Sequence, residues 1–330
     1  MSDVIGWLTG KEDPSVRFFT LISLLGKPMD DPQVVESKRA IMDFGLVPSI
    51  LDKQNDDGTW GDDPRRFYTD KYQGTSWVLL VLAELGADPK DSRVRRACEF
   101  ILDRSQDKES AGFSHMQSEK TGWGLASGVI PCLTGNMAYS LIKLGYAEDP
   151  RLVDALDWIV RNQRADDAEN GPPIGKVYER YVMCWGRHSC HMGVAKAFKA
   201  LAAIPPSLRT RQIEAKIGDL AEYFLKHHIF KMSHDLGKVA KPGWLKFGFP
   251  LMYNTDVLEL LGIFAGLGIK DPRLDEAIEI VREKRASDGT WKLENSFNGK
   301  MLIDIEQKGA PSKWVTLKAL CALSAYGLGI

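Results

Sequence analysis

Six stretches of the chain are apolar on nearly every side and stop at a small residue. "SVRFFTLISLLG" ends at Gly26, "TSWVLLVLAELG" at Gly86, "LTGNMAYSLIKLG" at Gly145 and "CHMGVAKAFKALA" at Ala202. "YNTDVLELLGIFAGLG" ends at Gly268 and "SKWVTLKALCALSAYG" at Gly327. The end points lie 60, 59, 57, 66 and 59 residues apart. A helix that is apolar all round is a buried one, and a terminal glycine supplies a left-handed C-cap. After four of these runs comes a turn containing Asp-Pro: "KPMDDPQVV", "ADPKDSRV", "YAEDPRLV" and "IKDPRLDEA". Asp as cap with Pro in the first turn starts a helix. The stretches that follow, such as "PRLVDALDWIVRNQ" and "PRLDEAIEIVREK", are amphipathic. Period-2 alternation is almost absent. The pattern therefore predicts an all-α protein, a single domain over residues 1-330. It consists of six repeats of about 60 residues, each a buried inner helix followed by a half-exposed outer one. An open solenoid needs polar end repeats, whereas the first and last repeats here are as apolar as the others. The expectation is a closed α/α toroid of about six helix pairs whose chain ends meet.

One short string recurs at corresponding places. "QNDDGTWGDD" (Gln54 to Asp63) follows the outer helix of the first repeat, and "KRASDGTW" (Lys284 to Trp291) follows that of the fifth. Weaker echoes are "RSQDKESAGF" and "RNQRADDAENG". A helix end, a Gln-like residue, Asp-Gly and an aromatic in this order resembles the Gln-Trp repeat of the terpenoid cyclase and protein prenyltransferase superfamily, the squalene cyclase type. The resemblance runs through all six repeats. It implies the α/α toroid, with these strings on the outside tying neighbouring units together. Asp56, Asp57, Asp62 and Asp63 then read as turn chemistry, and Trp60 as a wedge between helices with its N–H on a carbonyl. Squalene cyclases protonate an alkene with the central Asp of Asp-x-Asp-Asp. That motif is missing here, and the nearest carboxylate pair is Asp304 and Glu306 in "LIDIEQK". Protein prenyltransferases hold zinc with Asp, Cys and His and need a separate α subunit; their Asp-x-Cys string is missing as well.

Charge narrows the partners. Lys and Arg number 43 against 44 Asp and Glu, for a net charge of -1. Without a basic field, nucleic acid is not an expected partner. No run of about 18 apolar residues predicts a membrane span. The five cysteines are odd in number, and "MSDVIGWLTGKEDPS" lacks the look of a secretion signal. A cytoplasmic setting with reduced thiols is expected. No obligate subunit is evident, and the expected partner is a small-molecule substrate.

Candidate chemistry comes from position within the repeat. Cys132 lies 13 residues before Gly145, Cys190 lies 12 before Ala202, and Asp256 lies 12 before Gly268, with His191 next to Cys190. Thiolate, imidazole and carboxylate are zinc ligands, and helix starts favour thiolate. The leading expectation is thus a zinc enzyme, Zn2+ being held by Cys132, Cys190 and Asp256, with His191 as ligand or base. Cys184 and His188 in "MCWGRHSCH" stand close enough in sequence to complete or support the site. Arg187 and Lys313 would hold anionic groups. Trp77, Tyr181, Trp185, Trp244, Phe249, Tyr253 and Trp314 would line the pocket. Hydrolysis of a small or medium, partly apolar substrate is the expected reaction, with group transfer to a metal-bound thiolate as its near rival. A terpenoid cyclase or isoprenoid-binding, prenyltransferase-like protein using Asp304 as acid is the alternative. A non-catalytic binding scaffold is the third reading.

Overall fold

The computed structural model describes residues 2–329. The inner helices are α1 (Pro14–Phe19, continued by a wider turn over Thr20–Leu24), α3 (Thr75–Leu85), α5 (Pro131–Lys143), α7 (His191–Ala203), α9 (Val257–Gly266) and α11 (Lys313–Ala325). The outer helices are α2 (Pro32–Asp43), α4 (Ser92–Arg104), α6 (Pro150–Asn162), α8 (Arg211–Lys226) and α10 (Asp275–Glu283). The fold is all-α. Among the described residues its strands are one small antiparallel ribbon, Lys231–Met232 with Asp235–Val239. No helix there is long and apolar enough to cross a membrane.

The Asp-Pro turns cap as their chemistry requires. Asp31, Asp91 and Asp149 accept from the amides of Gln33, Arg93 and Arg151 at the starts of α2, α4 and α6. Asp271 does the same for Arg273 in the turn before α10. The arginines then reach to the preceding repeat: Arg93 to Asp52 at 3.4 Å, Arg151 to Glu99 at 2.8 Å, Arg273 to Glu222 at 2.8 Å. One short motif thus closes a helix end and ties two units together.

The Asp-Gly-Thr-Trp strings behave as fasteners. Asp57 accepts from the Thr59 amide at 3.0 Å while Gly58 takes a φ of +86°, a left-handed conformation that glycine adopts freely. Trp60 is buried, and its indole N–H donates to the Ile50 carbonyl at 2.9 Å. Asp288, Gly289 and Trp291 repeat the arrangement, with the Trp291 indole on the Val281 carbonyl at 2.7 Å. Gln54 and Gln106 donate side-chain amides to the carbonyls of Arg93 and Arg151 in the next outer helices. Asp63 caps the short turn Pro64–Arg66. The acidic string is turn chemistry, and none of its four aspartates lines the cavity between the inner helices.

Two contacts fix how the inner helices meet. A Cβ on Gly135 would stand 2.5 Å from the backbone carbon of Lys196, so α5 and α7 touch where only glycine fits. Where the two ends of the chain come together, α1 and the preceding helix Ser2–Leu8 pack on α11. The Lys313 ammonium pairs with Glu12 at this seam and sits 5.5 Å over the Trp7 ring.

Candidate functional site

All six inner helices border one central cavity of about 580 Å³. Its lining lies toward the carboxyl ends of α3, α5 and α7 and along α9 and α11. Its walls are built by small residues: Ala83, Ala202, Gly262, Ala265, Gly266 and Ala322. A Cβ on Gly262 or Gly266 would meet nothing within 4 Å, so these glycines leave open space. Phe19, Leu258, Leu317 and Trp314 add apolar surface.

Charged residues stand inside this apolar frame. Lys196 bonds both oxygens of Glu259, at 3.0 and 2.8 Å. Lys199 bonds Glu259 at 2.9 Å and also Glu84. Lys318 reaches Glu84 at 3.0 Å. The Lys199 ammonium lies 4.2 Å over the Tyr139 ring, and that of Lys318 lies 4.8 Å over Phe249. Burial alone would push both carboxyls up. For Glu84, Lys199 and Lys318 more than offset that and hold it far below the usual range. For Glu259, Lys196 and Lys199 bring it down to about 2. Both are therefore carboxylates, and the Tyr139 phenol is kept neutral mainly by burial. Lys143 at the rim of the cavity has no carboxylate partner among the described residues. Three lysines on the wall, with Lys196 behind them, face two carboxylates. With its lysines protonated the site is a net cation, placed partly at helix carboxyl ends where the backbone dipole favours it, while burial lowers the proton affinity of Lys143 and Lys196.

The residues expected at the amino-terminal rim are arranged differently. Asp256 is buried and caps α9, accepting from the amides of Glu259 at 2.8 Å and Gly248 at 3.0 Å. Burial raises its carboxyl to about 7. His191 stacks on Trp244 at 3.6 Å and has a buried Nε2 without a hydrogen bond. Cys132 stands in the first turn of α5 and Cys190 at the start of α7, with Cys184 in the short helix Val182–Trp185. The Cys184 thiol draws Cys190 below the usual thiol range, while burial pushes Cys132 up to about 12. Among the described residues no group of three or more His, Cys, Asp or Glu side chains is placed to hold a metal ion. The zinc set is thus not assembled, because Asp256 spends both oxygens on backbone amides and His191 lies against an indole.

The expected pocket residues divide. Trp314 lines the cavity and stacks on Phe249 at 4.3 Å. Trp77 and Tyr253 instead join Tyr68, Tyr72 and Phe297 in an aromatic cluster at the amino-terminal end, where the Trp77 indole donates to the Tyr68 carbonyl. Tyr181 hydrogen-bonds His115 at 2.6 Å, and Trp185 packs against Trp158 and Tyr178. Arg187 and His188 are exposed. Lys313 belongs to the chain-end seam, not the cavity. Asp304 is exposed and accepts from the Gly299 amide at 2.7 Å, so solvent and a turn, not a cavity, surround the candidate acid. Its neighbour Glu306 is the more buried of the two and binds the amides of Lys313 and Trp314 at the start of α11. Cys321 faces the cavity.

Glu84, Lys199, Glu259 and Lys318 were not among the expected residues. Each is a charge inside a helix otherwise apolar all round, which is the signal in the sequence that marks them. No family model and no curated protein matches the chain by sequence. Among solved structures it is similar to a protein from Actinoplanes (15% identity, 96% of this chain and 90% of that one, TM-score 0.46). It is also similar to the type II terpene cyclase MstE from Scytonema. The match holds for the apo form (15% identity, 96% and 89%, TM-score 0.43) and for a variant in complex with the product merosterolic acid A (13% identity, 98% and 98%, TM-score 0.44).

Proposed function

We propose that this chain is an enzyme built as a closed α/α ring, and that its central cavity takes a partly apolar, anionic small molecule of the isoprenoid type. The observation that carries this reading is the excess of lysine on a wall otherwise made of Gly, Ala, Leu and aromatic side chains. A volume of about 580 Å³ falls within the ordinary range of ligand pockets. Lys143, Lys199 and Lys318 would hold the anionic group. The apolar tail would lie along α9 and α11 against Leu258, Ile263 and Leu317. The Glu12–Lys313 seam supports ring closure.

The charge states favour one kind of chemistry. Glu84 and Glu259 are ionised and cannot lend a proton to an alkene. The lysines can stabilise an anionic group as its C–O bond breaks, and the faces of Tyr139 and Trp314 can stabilise the positive charge left on carbon. Lys143 is the cleanest probe because no carboxylate is stranded by its loss. Titration calorimetry with farnesyl diphosphate and farnesol tests the reading. Lys143→Met should weaken the diphosphate about tenfold or more, the size of a bond to a charged group, and leave farnesol unchanged. Product analysis after incubation with polyprenyl diphosphates of several lengths tests turnover. Wild-type protein that binds neither ligand and leaves every substrate unchanged would overturn the proposal.

A further inference from the structure

Glu84 is the next-to-last residue of α3, in a run that is otherwise apolar. A carboxylate in the last turn of a helix meets the negative end of the backbone dipole, and this one is also buried. Both effects work against a charge there, so it persists because of its partners. Oε1 accepts from the Lys199 ammonium, and Oε2 accepts from that of Lys318 at 3.0 Å. Glu259 is built the other way. It stands in the first turn of α9, where the dipole favours an anion. Lys196 bonds both of its oxygens and is itself 1% exposed, behind the cavity wall. Glu259 therefore stays paired whatever enters the cavity. Glu84 differs, because both lysines that bond it line the cavity, and the Lys318 side chain is 31% exposed. These two ammoniums are the ones an anionic ligand would use.

We propose that Glu84 is an internal counter-anion that competes with the ligand for Lys199 and Lys318, so that the cavity accepts phosphate and diphosphate esters and turns away singly charged carboxylates. This rests on the reading of the cavity as a site for an anionic isoprenoid. A ligand carboxylate brings one charge and two oxygens, as Glu84 already does. On the same lysines it gains little over the contact it replaces, and it stands against a like charge. A phosphate ester brings more charge and three terminal oxygens. It bonds Lys199 and Lys318 more strongly than Glu84 does and has charge left for Lys143 on the same wall. Specificity then comes from a repulsive group set beside the attractive ones. In the free protein the same contact keeps two lysines paired inside an apolar frame.

Titration calorimetry with three ligands of one chain, farnesyl diphosphate, farnesoic acid and farnesol, separates the head group from the tail. Wild-type protein should bind the diphosphate at least tenfold more tightly than the acid. Glu84→Gln keeps the shape of the side chain and an oxygen for the lysines. It should bind farnesoic acid about tenfold more tightly than wild type does, the size of a bond to a charged group, and farnesol equally well. Circular dichroism shows whether the variant folds; if it does not, the wild-type preference decides alone. Equal affinity of wild type for diphosphate and acid overturns the assignment. So does a folded Glu84→Gln protein whose affinity for the acid is unchanged or weaker. Either result, with the diphosphate still bound, leaves the cavity as a site for anionic isoprenoids. Wild-type protein that binds none of the three overturns that broader reading as well.

Discussion

Lys199 touches two carboxylates from different helices, Glu84 of α3 and Glu259 of α9, and its charge is decided by them. Burial alone would lower its affinity for a proton, and the two anions reverse that. Ionised groups so deep in a protein persist only when paired. Asp256 shows the opposite balance. Burial outweighs its backbone amides and the weaker pull of Lys318, and lifts its carboxyl from the ordinary 3.8 to about 7. The folded state therefore holds a proton there that the unfolded state has released. The stabilisation is full below the unfolded value and is lost as pH rises toward 7. Glu259, lowered to about 2, contributes above its unfolded value and loses that contribution only in strong acid. Between pH 5 and 7.5 the Asp256 effect should thus dominate. Urea unfolding across that window should show wild type losing stability relative to Asp256→Asn, which cannot titrate. Parallel curves for the two proteins would count against a raised carboxyl. At this scale the sequence is informative wherever the rule is local. Asp57, Gly58 and Trp60 obey turn and packing preferences within a few residues, and an aspartate at a helix start is a cap, which is what Asp256 is. Glu84 and Lys199 lie 115 residues apart, and no local rule announces their meeting.

At the scale of elements, glycine decides how near two helices come. Alanine is the better helix former by about 1 kcal/mol, so Gly135→Ala would stabilise α5 if it stood alone. In the folded chain the new methyl would overlap the backbone of Lys196 and Ala197. Overpacking of this kind costs about 1–3 kcal/mol, and a lower midpoint in thermal unfolding should report it. An unchanged or higher midpoint would mean that α5 and α7 separate easily. The run "LTGNMAYSLIKLG" predicts a helix but not this contact, since an interior glycine is also simply tolerated. Outer helices are the more legible elements. In four of the five, an Asp-Pro turn and a charged face fix both where the helix begins and which side turns outward, and α8 starts on a Thr210 cap instead. The arginines that stitch each to the one before it repeat the same short pattern.

At the scale of the whole molecule, the repeat places side chains at equal heights, but it does not say which height is hollow. Equal position within the repeat singles out Cys132, Cys190 and Asp256, yet that end is packed with Trp77, Tyr253 and their neighbours. The open space lies farther along the same helices, because small residues coincide there on several of them. Such coincidence is a property of six helices in register, and no single stretch of sequence contains it. Gly262 is a direct handle on it. Gly262→Leu should leave unfolding free energy within about 1 kcal/mol of wild type, as expected where a side chain meets no neighbour, yet weaken ligand binding by tenfold or more. Calorimetry beside chemical unfolding separates the two effects, and unaltered affinity would show that the ligand lies elsewhere. The seam has a further meaning for how the protein comes into being. Glu12 and Lys313 are 301 residues apart. At ordinary rates of chain synthesis the first must wait on the order of tens of seconds for the second to be made. During that interval α1 has no α11 to rest on, and Glu84 has no Lys318. The growing chain holds an arc of apolar helices without that partner until α11 emerges, so its exposure to aggregation is greatest in the interval before α11 is made.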